Sequence, residues 1–285
     1  MYSRNWCSDS CVHNLNQRGV KLARQSLKSV IRLIESTKEK VPVEQDFLQN
    51  LKRSIELTAD KGSSRIPSQT YKPSGMNCIR ASYYQIMGTP PDESHSNYTL
   101  VGICNAGTDI HVRVQTAVEQ MKDNGIDCEY IDVAEFVKSR GLDYLEIKSK
   151  SGMETKLYHK ELNMSFMCDG IIKYKGRYYI LELKTESSYK FQNRKEVDPS
   201  HYNQGTAYSL ALGIDQVLFV YISRDILDMK AFMFNVTDEM RGSLVNYIRR
   251  CDGYVERQIA PPKPENVARK TCTYCGYRNQ CKKDG

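Results

Sequence analysis

Apolar residues recur along this chain first at helical spacing and then at strand spacing, and the change of period divides it. Residues 12 to 60 carry Val20, Leu27, Val30, Ile31 and Ile34 on one helical face, with Arg18, Lys21, Arg24, Lys28 and Arg32 distributed around it. Pro42 is expected to split this stretch into two helices. The turn formers of "KGSSRIPSQTYKPSG" (61–75) mark a boundary between an N-terminal helical segment, residues 1–62, and a larger domain, residues 63–285. "NAGTDIHVRVQTAVEQMKD" (105–123) predicts a helix opened by Gly107 and Thr108, with His111 early in it. From Glu154 the runs "METKLYHK", "LNMSFMCDGIIKYK" and "RYYILELKT" predict an antiparallel meander. A helix over 198–213 stopped by Gly213, strands in "DQVLFVYIS" and "MKAFMFNV", and a closing helix in "TDEMRGSLVNYIRRCDGYVERQ" complete an α/β order.

The 40% hydrophobic content of 285 residues is ample for a buried core. No run of eighteen apolar residues occurs, and "MYSRNWCSDSC" lacks the apolar core of a signal peptide, so a soluble cytoplasmic protein without a membrane partner is expected. Forty-one Lys and Arg against 34 Asp and Glu give +7, an excess that suits a polyanion without requiring one. No phosphate-binding Walker A motif is present, so no ATP motor is expected.

Ten cysteines in a chain of this length and compartment point to metal binding or free thiols rather than disulfides. Cys104, Cys128, Cys168 and Cys251 stand among apolar neighbours and are expected in the core. Cys7 and Cys11 read as buried or idle thiols. Cys272-x-x-Cys275 and Cys281, in "TCTYCGYRNQC", supply three closely spaced thiolates, and Cys78, in "YKPSGMNCIRASYYQIMG", offers a fourth. Four thiolates suit structural Zn²⁺ or an iron–sulfur cluster equally in softness.

Asp169 in "FMCDGIIKY" and Glu182 in "ILELKT" stand on successive strands with room for a hairpin between them. Neighbouring strands lie about 5 Å apart, so the two carboxylates can share one divalent cation. Lys184, two residues beyond Glu182, faces the same side. Hard oxygens for Mg²⁺ or Mn²⁺ beside an ammonium suit phosphodiester hydrolysis. The same pattern arises by chance on polar hairpin faces. Here, however, Ile180, Leu181 and Leu183 make the strand look central, where charges need a reason to persist. His111 offers a nitrogen that Mn²⁺ tolerates. His201, Gln204 and Tyr208 share one face of the following helix.

The ordered set Gly107-x-x-x-His111, Asp169-Gly170, Glu182-x-Lys184 and Gln204-x-x-x-Tyr208 resembles the RecB-type PD-(D/E)xK nucleases over residues 71 to 285. The resemblance implies a restriction-endonuclease-like α/β core, its mixed central sheet flanked by helices. It implies His111, Asp169, Glu182 and the Leu183 carbonyl as metal ligands, Lys184 as catalytic lysine, and Gln204 and Tyr208 as substrate-side catalytic residues. Glu154 matches an additional acidic position loosely, and residues 126 to 150 exceed what the family core needs. One cysteine ahead of these motifs and three behind resembles the iron–sulfur branch, which includes AddB nuclease domains, CRISPR-adaptation nucleases and phage-encoded relatives. That branch implies a [4Fe–4S] cluster on Cys78, Cys272, Cys275 and Cys281, stapling the end of the chain to the start of the domain, with structural Zn²⁺ the alternative. The implied activity is a Mg²⁺- or Mn²⁺-dependent DNA exonuclease acting on single-stranded or frayed ends in recombination, repair or phage DNA metabolism. It would work in the host cytoplasm if phage-encoded, with a helicase, recombinase or integrase partner and a homo-oligomer both left open. A non-catalytic DNA-binding or assembly module and a structure-selective endonuclease are the alternatives.

Overall fold

The computed structural model describes residues 28–29, 41–62, 67–92, 97–151, 154–265 and 267–285. The chain divides into two compact units, Met1–Ser54 and Ile55–Gly285. Cys7, Cys11 and residues 12–27 and 30–40 of the expected N-terminal helices lie outside the described residues. Helix α1 (Val43–Gly62) starts directly after Pro42, with Glu44 and Asp46 in its first turn, where the helix dipole favours acids.

The second unit continues with α2 (Ile79–Ile86), α3 (Tyr98–Glu119), β1 (Cys128–Ile131), α4 (Val133–Ser139), β2 (Leu145–Ser151) and β3 (Glu154–His159). Then come β4 (Met164–Cys168), β5 (Gly170–Tyr174), β6 (Arg177–Glu186), α5 (Ser188–Asn193) and α6 (Tyr202–Leu212). Strands β7 (Gln216–Ser223) and β8 (Met229–Asn235) and helices α7 (Asp238–Arg257), α8 (Arg269–Thr273) and α9 (Arg278–Lys283) close the chain. The main sheet has five strands in the order β1-β5-β6-β7-β8. Only β6 and β7 run parallel within it, which makes the sheet mixed. A parallel pair needs a crossover, and α5 and α6 supply it. Gly213, at φ 66°, ends α6 in the left-handed conformation that glycine adopts without strain.

Helices cover both faces of this sheet. Ala207, Tyr208, Ala211 and Leu212 of α6 and Leu244 and Ile248 of α7 pack with Ile171, Ile180, Val217, Phe219 and Tyr221. On the other face Ile110 of α3 packs with Ile172, Leu181, Leu183 and Ile222. Strand β6 is therefore central and enclosed, and its charged residues lie within the fold. Among the described residues no helix is long and apolar enough to cross a membrane.

Three expectations are corrected. The meander is broken, because the run "LNMSFMCDGIIKYK" splits at Asp169 into β4, which joins the three-stranded sheet β2-β3-β4, and β5, which joins the main sheet. The sequence carries the trace: β4 alternates buried Met164, Phe166 and Cys168 with more exposed neighbours, whereas Gly170, Ile171 and Ile172 are buried in succession, as in a strand covered on both faces. The second correction concerns α3. It begins at Asn97, whose side chain accepts from the amides of Thr99 and Leu100 at 2.9 and 3.4 Å. Gly107 is thus interior and His111 lies in the second half. What Gly107 provides is close approach, since a Cβ there would stand 3.1 Å from Thr185 Oγ1. Third, Cys128, Cys168 and Cys251 are buried but Cys104 is exposed, because the α3 spiral turns it away from the sheet despite its apolar neighbours. The segment from 126 to 150 forms β1, α4 and most of β2, and brings Val133, Phe136 and Val137 into the core.

Candidate functional site

The break between β4 and β5 puts Asp169 where two sheets meet. Gly170 pairs with Leu181, so Asp169 stands across from Glu182 on the adjoining strand. Asp169 Oδ2 accepts from the Leu183 amide at 2.6 Å, and its carbonyl accepts from Gln115 Nε2 at 2.8 Å. His111 Nδ1 lies 3.3 Å from Asp169 Oδ1. Gln115 follows His111 by one helical turn, so α3 delivers both to the same aspartate. Pairing of Thr155 with Cys168 brings Glu154 to the same place. One ligand atom from each of His111, Glu154 and Asp169 lies within 4.8 Å of the others.

Glu182 is only 3% exposed. Its Oε1 accepts from Lys184 Nζ at 2.6 Å and from Gln204 Nε2 at 2.6 Å. Lys184 Nζ also donates to Gln204 Oε1 at 2.8 Å. Gln204 Nε2 reaches the Tyr208 hydroxyl at 2.7 Å, and that hydroxyl donates to the Met167 carbonyl at 2.5 Å. Glu182 Oε2, by contrast, is buried without a hydrogen-bond partner. Burial, and then the like charge of Asp169, push the Glu182 carboxyl up to about 8, against the opposing pull of Lys184 and His111. Burial lowers His111, but the hydrogen bond and charge of Asp169 outweigh it and leave the imidazole above its ordinary value. Burial, followed by the charge of Glu182, holds the Tyr208 phenol well above the ordinary tyrosine range. A crowded pair of carboxylates, one with a partnerless oxygen, beside an imidazole is a donor set that a hard divalent cation fits.

His201 does not join this chain of hydrogen bonds. It ends a 3₁₀ turn (Pro199–His201), its Nδ1 is 2.9 Å from the Tyr221 hydroxyl, and its ring stacks on Phe219. Burial, then the charge of Lys184, drop it to about 4, so it is neutral at physiological pH. Beside it Arg194 grips Glu186 through two bonds of 2.8 Å and lies over the Tyr221 ring at 4.0 Å. Sequence reasoning missed Gln115 and the Arg194–Glu186 pair. The i,i+4 spacing of Gln115 from His111 was a usable signal; nothing local linked Arg194 to Glu186.

Cys78 caps the N-terminus of α2, Cys272 lies on α8, Cys275 follows it and Cys281 lies on α9. All four line one cavity of about 440 Å³, together with Arg80, Lys263 and Arg278. Burial raises the Cys275 thiol, with Cys78, Cys281 and Cys272 adding to the effect against the Tyr277 amide, which donates to its sulfur at 3.4 Å. Tethers hold the lobe to the rest of the unit: Arg80 Nη1 donates to the Gly285 carbonyl at 2.8 Å, the Tyr84 hydroxyl to Asp284 Oδ2 at 2.7 Å, and the Asp92 amide to the Gly276 carbonyl at 2.6 Å.

No family model and no curated protein matches the chain. Among solved structures, that of SSO0001 is similar at 15% identity over 86% of this chain and 98% of its own, with a TM-score of 0.44. An alkaline exonuclease from Laribacter hongkongensis, LHK-Exo, is similar at 9% identity over 67% of this chain and 90% of its own, with a TM-score of 0.40. LHK-Exo in complex with dAMP gives 11% identity over 67% of this chain and 89% of its own, with a TM-score of 0.39. At such scores the functional reading rests on the geometry of the site itself.

Proposed function

We propose that this chain is a metal-dependent deoxyribonuclease, an exonuclease acting on single-stranded or frayed ends. The observation that carries the reading is Glu182: a carboxylate buried in the central strand beside Asp169, hydrogen-bonded on one oxygen and without a partner on the other. A structural core gains nothing from two crowded acids, whereas a cation site requires them. Asp169, Glu182, His111 and the Leu183 carbonyl would hold Mg²⁺ or Mn²⁺, with Glu154 a further ligand. The cation, when bound, supplies charge that polarises a phosphodiester and activates its attacking water.

The chain's own groups do the rest. Lys184, kept between Glu182 Oε1 and Gln204 Oε1, carries an ammonium that orients water and offsets charge developing on phosphorus. Gln204 fixes the Lys184 ammonium and the Glu182 carboxylate together, and Tyr208 fixes Gln204 against the Met167 carbonyl. A cavity of about 400 Å³ lined by Lys72, Lys156, Phe166, Gln204 and Tyr208 opens beside this chain and offers room for a strand.

The same reading assigns a [4Fe–4S] cluster to Cys78, Cys272, Cys275 and Cys281. What supports a metal centre there is that all four cysteines line one cavity of about 440 Å³; structural Zn²⁺ is the alternative. The test of the activity is digestion of end-labelled linear, circular and branched DNA with Mn²⁺. Shortening of linear single strands with circles spared supports the exonuclease. Cut circles or junctions make it a structure-selective endonuclease, and binding without cleavage makes it an assembly module.

A further inference from the structure

We propose that a cavity lined by Arg140, Arg177, Gln216 and Asn235 binds a nucleoside monophosphate, at a site apart from the carboxylates and independent of the nuclease reading. The cavity holds about 700 Å³ and lies among α4, the first residues of β6, the link from α6 to β7 and the end of β8. Arg177 precedes Glu182 by five residues on β6, so the rise of the strand puts about 17 Å between their backbones. Phe136, Arg140 and Leu142 come from the stretch at 126–150, to which the resemblance gives no role.

Two guanidinium groups face this space without an acid. Among the described residues neither Arg140 nor Arg177 forms an ion pair. The Arg140 guanidinium lies 5.3 Å from the ring centres of both Phe136 and Tyr178, and those rings are 5.7 Å apart. Cation–π attraction holds the group in place while its N–H fork stays unpaired. The acid of the cavity, Asp215, is bonded to Arg241 of α7 and does not serve either arginine. A phosphate monoester carries about two charges and three strong acceptor oxygens, which matches two guanidinium forks.

The rest of the cavity suits a nucleoside. Leu142, Leu212 and Ile214 give it apolar walls. Gln216 Nε2 donates to Asn235 Oδ1 at 2.9 Å across the β7–β8 pair, which leaves Gln216 Oε1 as an acceptor and Asn235 Nδ2 as a donor for a base edge. Sites for small molecules and cofactors commonly hold about 300 to 1,000 Å³ and combine apolar walls with a few placed polar groups. An inorganic phosphate would use the arginines and leave the walls and the amide pair idle.

The test is equilibrium dialysis of radiolabelled dTMP against the full chain without added divalent cation, with inorganic phosphate and thymidine as competitors. Wild type should bind dTMP, and both competitors should displace it poorly. Arg140→Gln and Arg177→Gln should each weaken binding about tenfold or more, the loss expected for a hydrogen bond to a charged group. Arg140→Lys should recover only part of the affinity, because an ammonium keeps the charge and loses the fork. Lys184→Ala, in the carboxylate site, should bind dTMP as wild type does. A wild-type chain that binds no dTMP, or arginine variants that bind it unchanged, overturn the site. Loss of binding in Lys184→Ala overturns its placement, since the nucleotide then sits at the carboxylates. Phosphate competing as well as dTMP itself overturns the nucleotide, and thymidine doing so overturns the role of the arginines. Cleavage of DNA, present or absent, alters none of these readings.

Discussion

The carboxylate site and the cysteine lobe are built in opposite ways. Asp169 and Glu182 stand at the heart of the sheet system, and hydrogen bonds of 2.6 Å from Leu183, Lys184 and Gln204 hold them before any ion arrives. Cys272, Cys275 and Cys281 ride on helices of five and six residues and the turn between them. Helices that short do not persist alone; hydrogen bonds to α2 and Asp92 and the packing of Tyr277 and Cys281 on the core tie them down. The first site is preorganised at a cost in stability, since it buries a partnerless carboxylate oxygen. In the second, binding of the proposed cluster would itself be folding free energy. A substitution should therefore cost activity in one region and structure in the other.

The largest expected effect tests the first half of that contrast. Glu182→Ala or Lys184→Ala should lower Mn²⁺-dependent cleavage about 10³-fold, the upper range for losing one transition-state-stabilising group. Near wild-type turnover in either variant would remove the proposed site. Glu182→Gln should be equally inactive, yet in metal-free protein it should melt no lower than wild type, because burial raises the carboxyl to about 8 and so already favours an uncharged group at this position. A marked drop in Tm would show that Glu182 supports the fold.

Next comes the second half. Protein purified without oxygen should be brown and carry about four irons per chain. Alanine at Cys78, Cys272, Cys275 or Cys281 should bleach it and lower Tm by ~10 °C, a loss of about 3 kcal/mol in a domain of this size. Replacing Cys104, Cys128 or Cys168 should keep the colour. A colourless chain with one zinc refutes the cluster and keeps the staple, whereas a coloured Cys78→Ala variant refutes Cys78 as a ligand.

A smaller effect is expected at His111, which reaches the carboxylates from α3. His111→Ala should raise the Mn²⁺ requirement by about 10- to 100-fold and recover activity in excess metal. Full activity at low metal would exclude the histidine. The smallest effect concerns Asp198, in the Arg194 network beside the carboxylate site. Burial raises its carboxyl, but the Ser200 hydrogen bonds, the charge of His201 and the Arg194 hydrogen bond outweigh this and bring it to about 2 from 3.8. Because the folded value is depressed, its stabilisation is present above about pH 4 and is lost as pH falls through about 2. The Tm gap between wild type and Asp198→Asn should close over that window, and a constant gap would exclude the linkage.

Much of the fold was legible because its signals are local. The strand period of "RYYILELKT" marks an enclosed strand, Gly213 marks the end of α6, and Glu182 and Lys184 fall on one side because alternate residues of a strand do. The break at Asp169 was legible in principle, as alternation giving way to continuous burial, but strand propensity alone reads straight through it. The start of α3 was misjudged because a glycine needed for close packing looks the same in sequence as one that opens a helix.

By itself, then, the sequence determined the order of helices and strands, the face shared by Glu182 and Lys184, and the short spacing of Cys272, Cys275 and Cys281. Only the tertiary structure decided that His111 and Glu154 meet at Asp169, and that Cys78 joins the three later cysteines around one cavity. The physical reason is range. Backbone period and side-chain alternation act over a few residues, whereas these meetings depend on how the twisted sheet and its covering helices pack, and no local pattern encodes that.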